Sequence, residues 1–165
     1  MKLYVIRHGV AEERARGGSD EARRLTERGR AKMMTAARGM RALGIRFDVL
    51  LTSPLARAEE TAKIIAEEYR GTPVPRELTA LAQGVAPPET LRALRPFLRR
   101  SRVAVVGHEP GLSGLVALLL TGSPDGLRFD LKKGGLVILE LLDARAQGVV
   151  LQAVLTPRQL RRLGR

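Results

Sequence analysis

Short apolar runs alternate along the chain with longer segments whose apolar residues recur at helical spacing. Runs of β-branched and aliphatic residues predict buried strands at 2–6, 47–52 and 102–106. Helical spacing predicts helices over 26–43, 55–69, 88–98 and 111–120. Beyond these, we predict an edge strand at 73–78, a pair of strands at 136–142 and 149–155, and a short helix after 156. The stretches 9–24 and 143–148 are polar and predict connections.

Capping residues sharpen the ends of these helices. Thr26 is a good N-cap, and Gly44 suits the left-handed end of the same helix. Ser53 followed by proline predicts a capped start for the next helix, and Thr156 followed by proline predicts one for the last. Pro96 is expected to bend or end the helix that contains it.

Strands that alternate with helices predict an α/β sandwich with a mostly parallel sheet. The 165 residues fit a single domain that spans 1–165. In such sheets, ligands bind beyond the carboxyl ends of the strands. His8 follows the first predicted strand, Ser53 and Arg57 follow the second, and His108 follows the third. We therefore expect these side chains to converge on one rim of the sheet.

Composition narrows the chemistry that this rim can perform. The chain has no cysteine, which excludes disulfides, thiolate metal sites and cysteine nucleophiles. With only two histidines and no cysteine, a zinc site of the usual three or four ligands is not expected. The net charge of +12 raises the question of nucleic acid, but acidic residues are interleaved and the few aromatic residues form no stacking platform. A solvated arginine-rich surface is the favoured interpretation, and no nucleic-acid partner is expected.

The apolar runs are too short to cross a membrane. The longest, 115–120, falls far short of the roughly 20 residues that span a bilayer. Arg7 interrupts the apolar N-terminus, so it does not match a signal peptide. We expect a soluble, cytoplasmic protein with no membrane partner.

The rim residues would form an anion pocket. Arg7 and Arg57 offer guanidinium groups that suit phosphate oxygens, and a neutral imidazole is a competent nucleophile towards phosphorus. Taken singly, each residue has a plainer interpretation: a histidine after a strand is commonly structural, and Ser53 is better explained as a helix cap than as a nucleophile. The pocket is favoured because both histidines follow predicted strands.

Four motifs, in order along the chain, carry a family resemblance. They are LYVIRHG at 3–9, LTERG at 25–29, LTSPLARAEETA at 51–62 and VVGHEP at 105–110. Together they resemble the histidine phosphatase superfamily, which has the fold of cofactor-dependent phosphoglycerate mutase. The resemblance implies a three-layer α/β/α sandwich around a mostly parallel mixed sheet. It also implies that His8 becomes phosphohistidine, that Arg7 and Arg57 clamp the phosphoryl oxygens, and that His108 completes the phosphate pocket. No cofactor and no metal are implied.

One departure from the family pattern bears on the substrate. Segment 78–84 matches a frame in which many members carry a glutamate as general acid, but Ala80 occupies that position. Phosphohistidine has a leaving group that needs an acid less than an alkoxide does. The small size and missing acid resemble the SixA-type phosphohistidine phosphatases, which act on phosphorylated proteins.

Other interpretations stay open from the sequence alone. Glu13, Glu77 or Glu109 could supply a proton in place of the missing glutamate. A phosphatase of small phosphomonoesters, such as a sugar phosphate or nucleotide, is the alternative within the same enzyme class. A basic module that binds nucleic acid through the same fold is the alternative from another class, and the intact set of histidines and arginines argues against it.

Overall fold

The computed structural model describes residues 1–13, 19–71, 73–143 and 148–165. Its strands are β1 (Lys2–Arg7), β2 (Val49–Thr52), β3 (Arg76–Glu77), β4 (Arg102–Gly107), β5 (Leu136–Leu141) and β6 (Val149–Leu155). Its helices are α1 (Glu27–Ala42), α2 (Ala56–Glu68), α3 (Pro87–Leu94), α4 (Gly111–Thr121) and α5 (Pro157–Leu163). The predicted connections 9–24 and 143–148 lie partly outside the described residues.

The strands form one mixed sheet in the order β3-β2-β4-β1-β5-β6. The first four strands of that order are parallel, whereas β5 pairs antiparallel with β1 and with β6. Strand β4 therefore lies between β1 and β2, with Arg7 opposite Gly107 and Thr52 opposite Val106. This register brings the carboxyl ends of the three predicted buried strands to one edge of the sheet, and the predicted α/β architecture is confirmed.

Helices cover both faces of the sheet. In β1, Tyr4 and Ile6 pack into a core with α1, α2 and α5, whereas Leu3 and Val5 pack into a second core with α3 and α4. Each fully buried aliphatic side chain of this kind contributes about 1.5–3 kcal/mol to folding. No helix within the described residues is both long and apolar enough to cross a bilayer.

Several predicted element ends differ from the structure for local reasons. The predicted edge strand at 73–78 shrinks to Arg76–Glu77, since prolines at 73 and 75 cannot donate to a ladder. Helix α3 ends at Leu94, two residues before Pro96, because proline has no N–H to continue the helical hydrogen bonds. Strand β2 begins only at Val49, and Phe47 instead packs edge-on against Tyr4 at 5.2 Å between ring centroids.

The predicted cap at Ser53 is wrong. Helix α2 has Leu55 at its N-cap position and no side-chain cap. Ser53 precedes the cap by two residues, and its Oγ accepts the Leu55 N–H at 3.2 Å. By contrast, Thr26 and Thr156 cap α1 and α5 as predicted.

Gly29 allows α1 to pack directly on the loop that follows β1. A Cβ at this position would lie 2.1 Å from the carbonyl oxygen of Val10, a backbone atom that cannot move aside alone. We expect Gly29→Ala to lower the free energy of unfolding by about 1–3 kcal/mol, measured by urea denaturation. Gly111→Ala is the matched control, since its Cβ would lie 3.8 Å from its nearest neighbour, the carbonyl oxygen of Val85. Equal stability of the two variants would contradict this account.

Candidate active site

The strand order places the two histidines side by side. His8 and His108 each directly follow one of the paired parallel strands β1 and β4, and the His8 N–H donates to the Gly107 carbonyl at 3.1 Å. Their ring centroids lie 4.9 Å apart with the planes tilted by 49°. Both residues are buried, with 5% and 4% of their surface exposed. The fold thus creates a pair of imidazoles a hundred residues apart in sequence.

A hydrogen bond fixes the tautomer of His8. Its Nδ1 lies 2.7 Å from the carbonyl oxygen of Gly9. Because a carbonyl only accepts, Nδ1 carries the proton and the neutral ring holds its lone pair on Nε2. The Gly9 N–H in turn donates to Thr61 Oγ1 at 3.0 Å, and the Thr61 hydroxyl donates to the Arg57 carbonyl at 2.7 Å. The backbone that orients His8 is therefore tied to the first turns of α2.

Ser53 orients His108. Its Oγ lies 2.8 Å from His108 Nε2, while the same oxygen accepts the Leu55 N–H. His108 Nδ1 is buried and has no hydrogen-bond partner among the described residues. The sequence marked Ser53 as a cap, whereas its contact is with the second histidine.

Arg57 lies in the first turn of α2 and is 2% exposed. Its Nη1 donates to the Asp20 carbonyl at 2.6 Å, and its Nη2 donates to Asp20 Oδ2 at 2.8 Å and Gln83 Oε1 at 2.9 Å. The Asp20 carboxylate accepts hydrogen bonds from Arg23 and Arg57, which hold its pKa below the usual value. Arg23 has the larger effect, and burial opposes both. No motif singled out Asp20 or Gln83, because both reach Arg57 from distant loops.

Arg7 approaches the histidines from the end of β1. Its Nη1 donates to the Leu131 carbonyl at 2.9 Å, which fixes one side of the guanidinium group. Its Nε is buried without a hydrogen-bond partner in the described part of the chain. The charges of Arg7 and Arg57 both act on His8 and on His108, so the structure gathers the four residues that the sequence singled out.

Burial keeps both rings neutral. It is the largest cause that lowers the pKa of His8 from 6.5 to about 3; the hydrogen bond to the Gly9 carbonyl opposes the shift, and the charges of Arg57 and Arg7 add to it. It likewise lowers the pKa of His108 to about 4, with Arg57 the next contribution. Near neutral pH, both imidazoles are therefore uncharged, and Nε2 of His8 has an available lone pair.

These shifts predict how stability depends on pH. Below about 6.5 the unfolded histidines bind protons that the native rings do not bind until about pH 3–4. The free energy of unfolding should therefore fall as pH is lowered through this window, by at most about 2.7 kcal/mol per pH unit for two rings. Urea denaturation between pH 7 and 4.5 gives the free energy of unfolding of the native chain and of the His8→Gln/His108→Gln variant. Carboxylates titrate in both proteins, so their contribution cancels in the difference between the two pH profiles. Parallel pH profiles would contradict the prediction.

Ala80 lines a small cavity beside His108. Gln83, Val85 and Thr90 also line it, and no carboxylate does so among the described residues. Of the three carboxylates considered from the sequence, Glu13 and Glu77 are exposed and Glu109 is half-buried. Burial raises the pKa of Glu109, although the Ser113 hydroxyl, which donates to Oε2, and the charge of Arg7 oppose this. Glu109 Oε1 is buried with no partner in the described residues.

A wider cleft of about 450 Å³ lies beside this cavity. Val85 and Gly111 line both spaces, and Phe129, Arg128 and Ser113 form other parts of the cleft wall. Its lining mixes apolar and charged groups. Among the described residues, no group of three histidine, cysteine, aspartate or glutamate side chains is arranged to hold a metal ion.

Comparison with known proteins places this site in a family. The sequence pattern of the histidine phosphatase superfamily (branch 1) matches residues 3–80. An uncharacterized protein of Picosynechococcus sp. is 36% identical over 153 residues, which cover 89% of each chain.

Two solved structures share the fold. The protein histidine phosphatase SixA complexed with tungstate has a TM-score of 0.84 at 23% identity, covering 97% of this chain and 99% of SixA. Phosphoserine phosphatase of Entamoeba histolytica, in complex with 3-phosphoglyceric acid, has a TM-score of 0.73 at 19% identity, covering 96% and 98% of the two chains. The chain belongs to the histidine phosphatase superfamily and is a phosphatase.

Proposed function

We propose that the protein removes phosphoryl groups from phosphohistidine in a protein substrate, through a phosphohistidine intermediate on His8 and without a metal. The observation that carries the proposal is the hydrogen bond from His8 Nδ1 to the Gly9 carbonyl. It leaves Nε2 as the ring atom able to attack phosphorus, in a neutral imidazole beside two arginines.

The reaction proceeds in two displacements at phosphorus. In the first, Nε2 of His8 forms a P–N bond while the bond from phosphorus to the substrate breaks and the leaving group keeps the electron pair. In the second, water attacks the phosphoryl group, the P–N bond to His8 breaks, and inorganic phosphate forms. Arg7 and Arg57 bind the phosphoryl oxygens throughout, and Asp20 and Gln83 yield their places on Arg57 to the substrate.

His108 stabilises the charge on the transferring group. A bound phosphate dianion raises the pKa of the adjacent imidazole, since an opposite charge favours the protonated form. Protonated His108 donates through Nε2 to Ser53 Oγ. Its Nδ1, which has no partner among the described residues, donates to a phosphoryl oxygen. Ser53 is thus a positioning residue for the second histidine.

The lining beside His108 supports the choice of substrate. Ala80 takes the place of an acid there, so an alkoxide would leave without a proton donor. The imidazole of a phosphohistidine leaves as a neutral ring when its other nitrogen is already protonated. The cleft of about 450 Å³ beyond Val85 gives space for part of a larger leaving group.

A second candidate function is the hydrolysis of small phosphomonoesters, such as a sugar phosphate or nucleotide. Glu109 favours it, because this half-buried carboxyl has a raised pKa and could hold a proton for the leaving oxygen. The structural likeness to a phosphoserine phosphatase is consistent with this alternative.

Specificity constants distinguish the two functions. We expect kcat/KM for a phosphohistidine-bearing protein to exceed that for phosphoserine and sugar phosphates by at least about 10²-fold, the contribution of a missing general acid. Glu109→Gln should leave the preferred reaction within about threefold of the native rate. Preference for an alkyl phosphate that is lost in Glu109→Gln would favour the alternative.

A further inference from the structure

We propose a second anion site, for a phosphate-sized oxyanion, in a cavity beside the loop that carries His8. The cavity has a volume of about 190 Å³ and is distinct from the spaces that border His108. Three basic side chains line it: Lys32, Lys133 and Arg161. We call this cavity the basic cavity.

The three cations come from separate parts of the fold. Lys32 lies on α1, Lys133 lies in the turn before β5, and Arg161 lies on α5. Lys32 and Arg161 are half-buried, whereas Lys133 is exposed. The remaining lining is apolar or glycine, and it includes Gly9, Met33 and Pro157. The fold therefore brings three positive charges to one concavity whose described lining contains no carboxylate.

Within the described part of the chain, these cations also lack partners elsewhere. None of the three has a salt bridge or a side-chain hydrogen bond within the described residues. By contrast, three arginines on or just before α1 all pair with glutamates: Arg24, Arg30 and Arg38. Like charges brought together repel, and a low-dielectric wall strengthens the repulsion. An anion in the basic cavity would convert that repulsion into attraction.

The basic cavity shares a wall with the nucleophile. Gly9 lines it and is bonded directly to His8, whose Nδ1 donates to the Gly9 carbonyl. Gly134 lines it as well, and its N–H lies 3.0 Å from the carbonyl oxygens of both Arg7 and His8. An anion held there would sit against the backbone that fixes both catalytic candidates.

The size and charge of the basic cavity define the ligand class. A volume of 190 Å³ holds about six water molecules, which is enough for one tetrahedral oxyanion with part of its hydration shell. Lysine and arginine side chains donate hydrogen bonds but accept none, so they select oxyanions. The anion can be free inorganic phosphate or a second phosphate on the substrate; the latter source rests on the proposed function.

Binding can be measured without catalysis. We expect inorganic phosphate to shift the backbone amide signal of Gly134 saturably in a ¹H–¹⁵N NMR titration, while the Gly107 amide reports on the histidine pocket. The Lys32→Gln/Lys133→Gln/Arg161→Gln variant should weaken the Gly134 response at least about tenfold and preserve the Gly107 response. The control Lys2→Gln/Arg99→Gln/Arg100→Gln removes the same charge from exposed positions elsewhere and should preserve both responses.

Kinetics then identify the source of the anion. The KM of the triple variant is compared for a hexose bisphosphate and the matching monophosphate. If KM rises about tenfold only for the bisphosphate, with kcat unchanged, the anion is the second phosphate of the substrate. Unchanged KM values together with the lost Gly134 response indicate free phosphate, and either result supports the site. A Gly134 response that does not saturate, or that weakens equally in the control variant, overturns it. Failure of all turnover would count against the proposed function and leave the binding result to decide the anion site.

Discussion

Replacing His8 with alanine is expected to lower kcat by at least about 10⁴-fold with every phosphorylated substrate that the protein turns over. The reason is chemical: the variant has no nucleophile at the position that Nε2 of His8 occupies. The ring is 5% exposed and its Nδ1 is already committed to the Gly9 carbonyl, so another side chain has no access to the same position. Steady-state assays of phosphate release measure the effect.

A matched variant separates this loss from general damage to the site. His108→Ala also removes a buried imidazole, but one that stabilises charge, so it should lower kcat by about 10²–10³-fold. Unfolding by urea should show that both variants fold. Equal effects of the two substitutions, or normal activity of folded His8→Ala, would contradict the assignment of the nucleophile.

Placing a carboxyl group at Ala80 is expected to create activity on alkyl phosphates. Ala80 lines the cavity beside His108. From that position we expect a glutamate side chain to reach the leaving-group side of the phosphoryl group. We expect Ala80→Glu to raise kcat/KM for phosphoserine by about 10²–10⁴-fold, the usual contribution of a positioned general acid. The rate with a phosphohistidine protein should change little, because its leaving imidazole does not depend on that proton.

Thr79→Glu is the control for charge. It adds the same carboxylate one residue earlier, at an exposed position that does not line the cavity beside His108. If Ala80→Glu gives no more activity on phosphoserine than Thr79→Glu does, the missing acid does not explain the substrate preference. The pH optimum of Ala80→Glu with phosphoserine should also move, since a working acid adds a basic limb to the pH profile of kcat/KM.

Local signals in the sequence predicted most of the elements. The Thr-Pro pair at 156 specifies α5 together with a capping box that Gln159 completes, and Thr26 specifies the start of α1. Both signals act over three residues, so no tertiary information is needed to interpret them. The apolar runs predict β1 and β4 from local sequence in the same way, because strands covered on both faces are apolar at successive positions.

The contacts within the site depend on tertiary structure and could not be predicted in this way. Ser53 has the sequence context of a cap, yet its hydroxyl contacts His108, 55 residues away. Asp20 and Leu131 reach the two arginines from loops whose positions depend on the whole fold. Strand order has the same origin: β4 is inserted between β1 and β2 by crossover connections that carry no local signature.

The most direct test of the central claim is to trap the phosphorylated enzyme. The native chain would be mixed with substrate, quenched in base within milliseconds, and analysed by ³¹P NMR and by mass spectrometry of its peptides. We predict a phosphoryl group on Nε2 of His8 that is stable in base and lost in acid, and that forms equally in the presence of EDTA. Turnover without any phosphorylated enzyme, or with the phosphoryl group on another residue, would contradict the account.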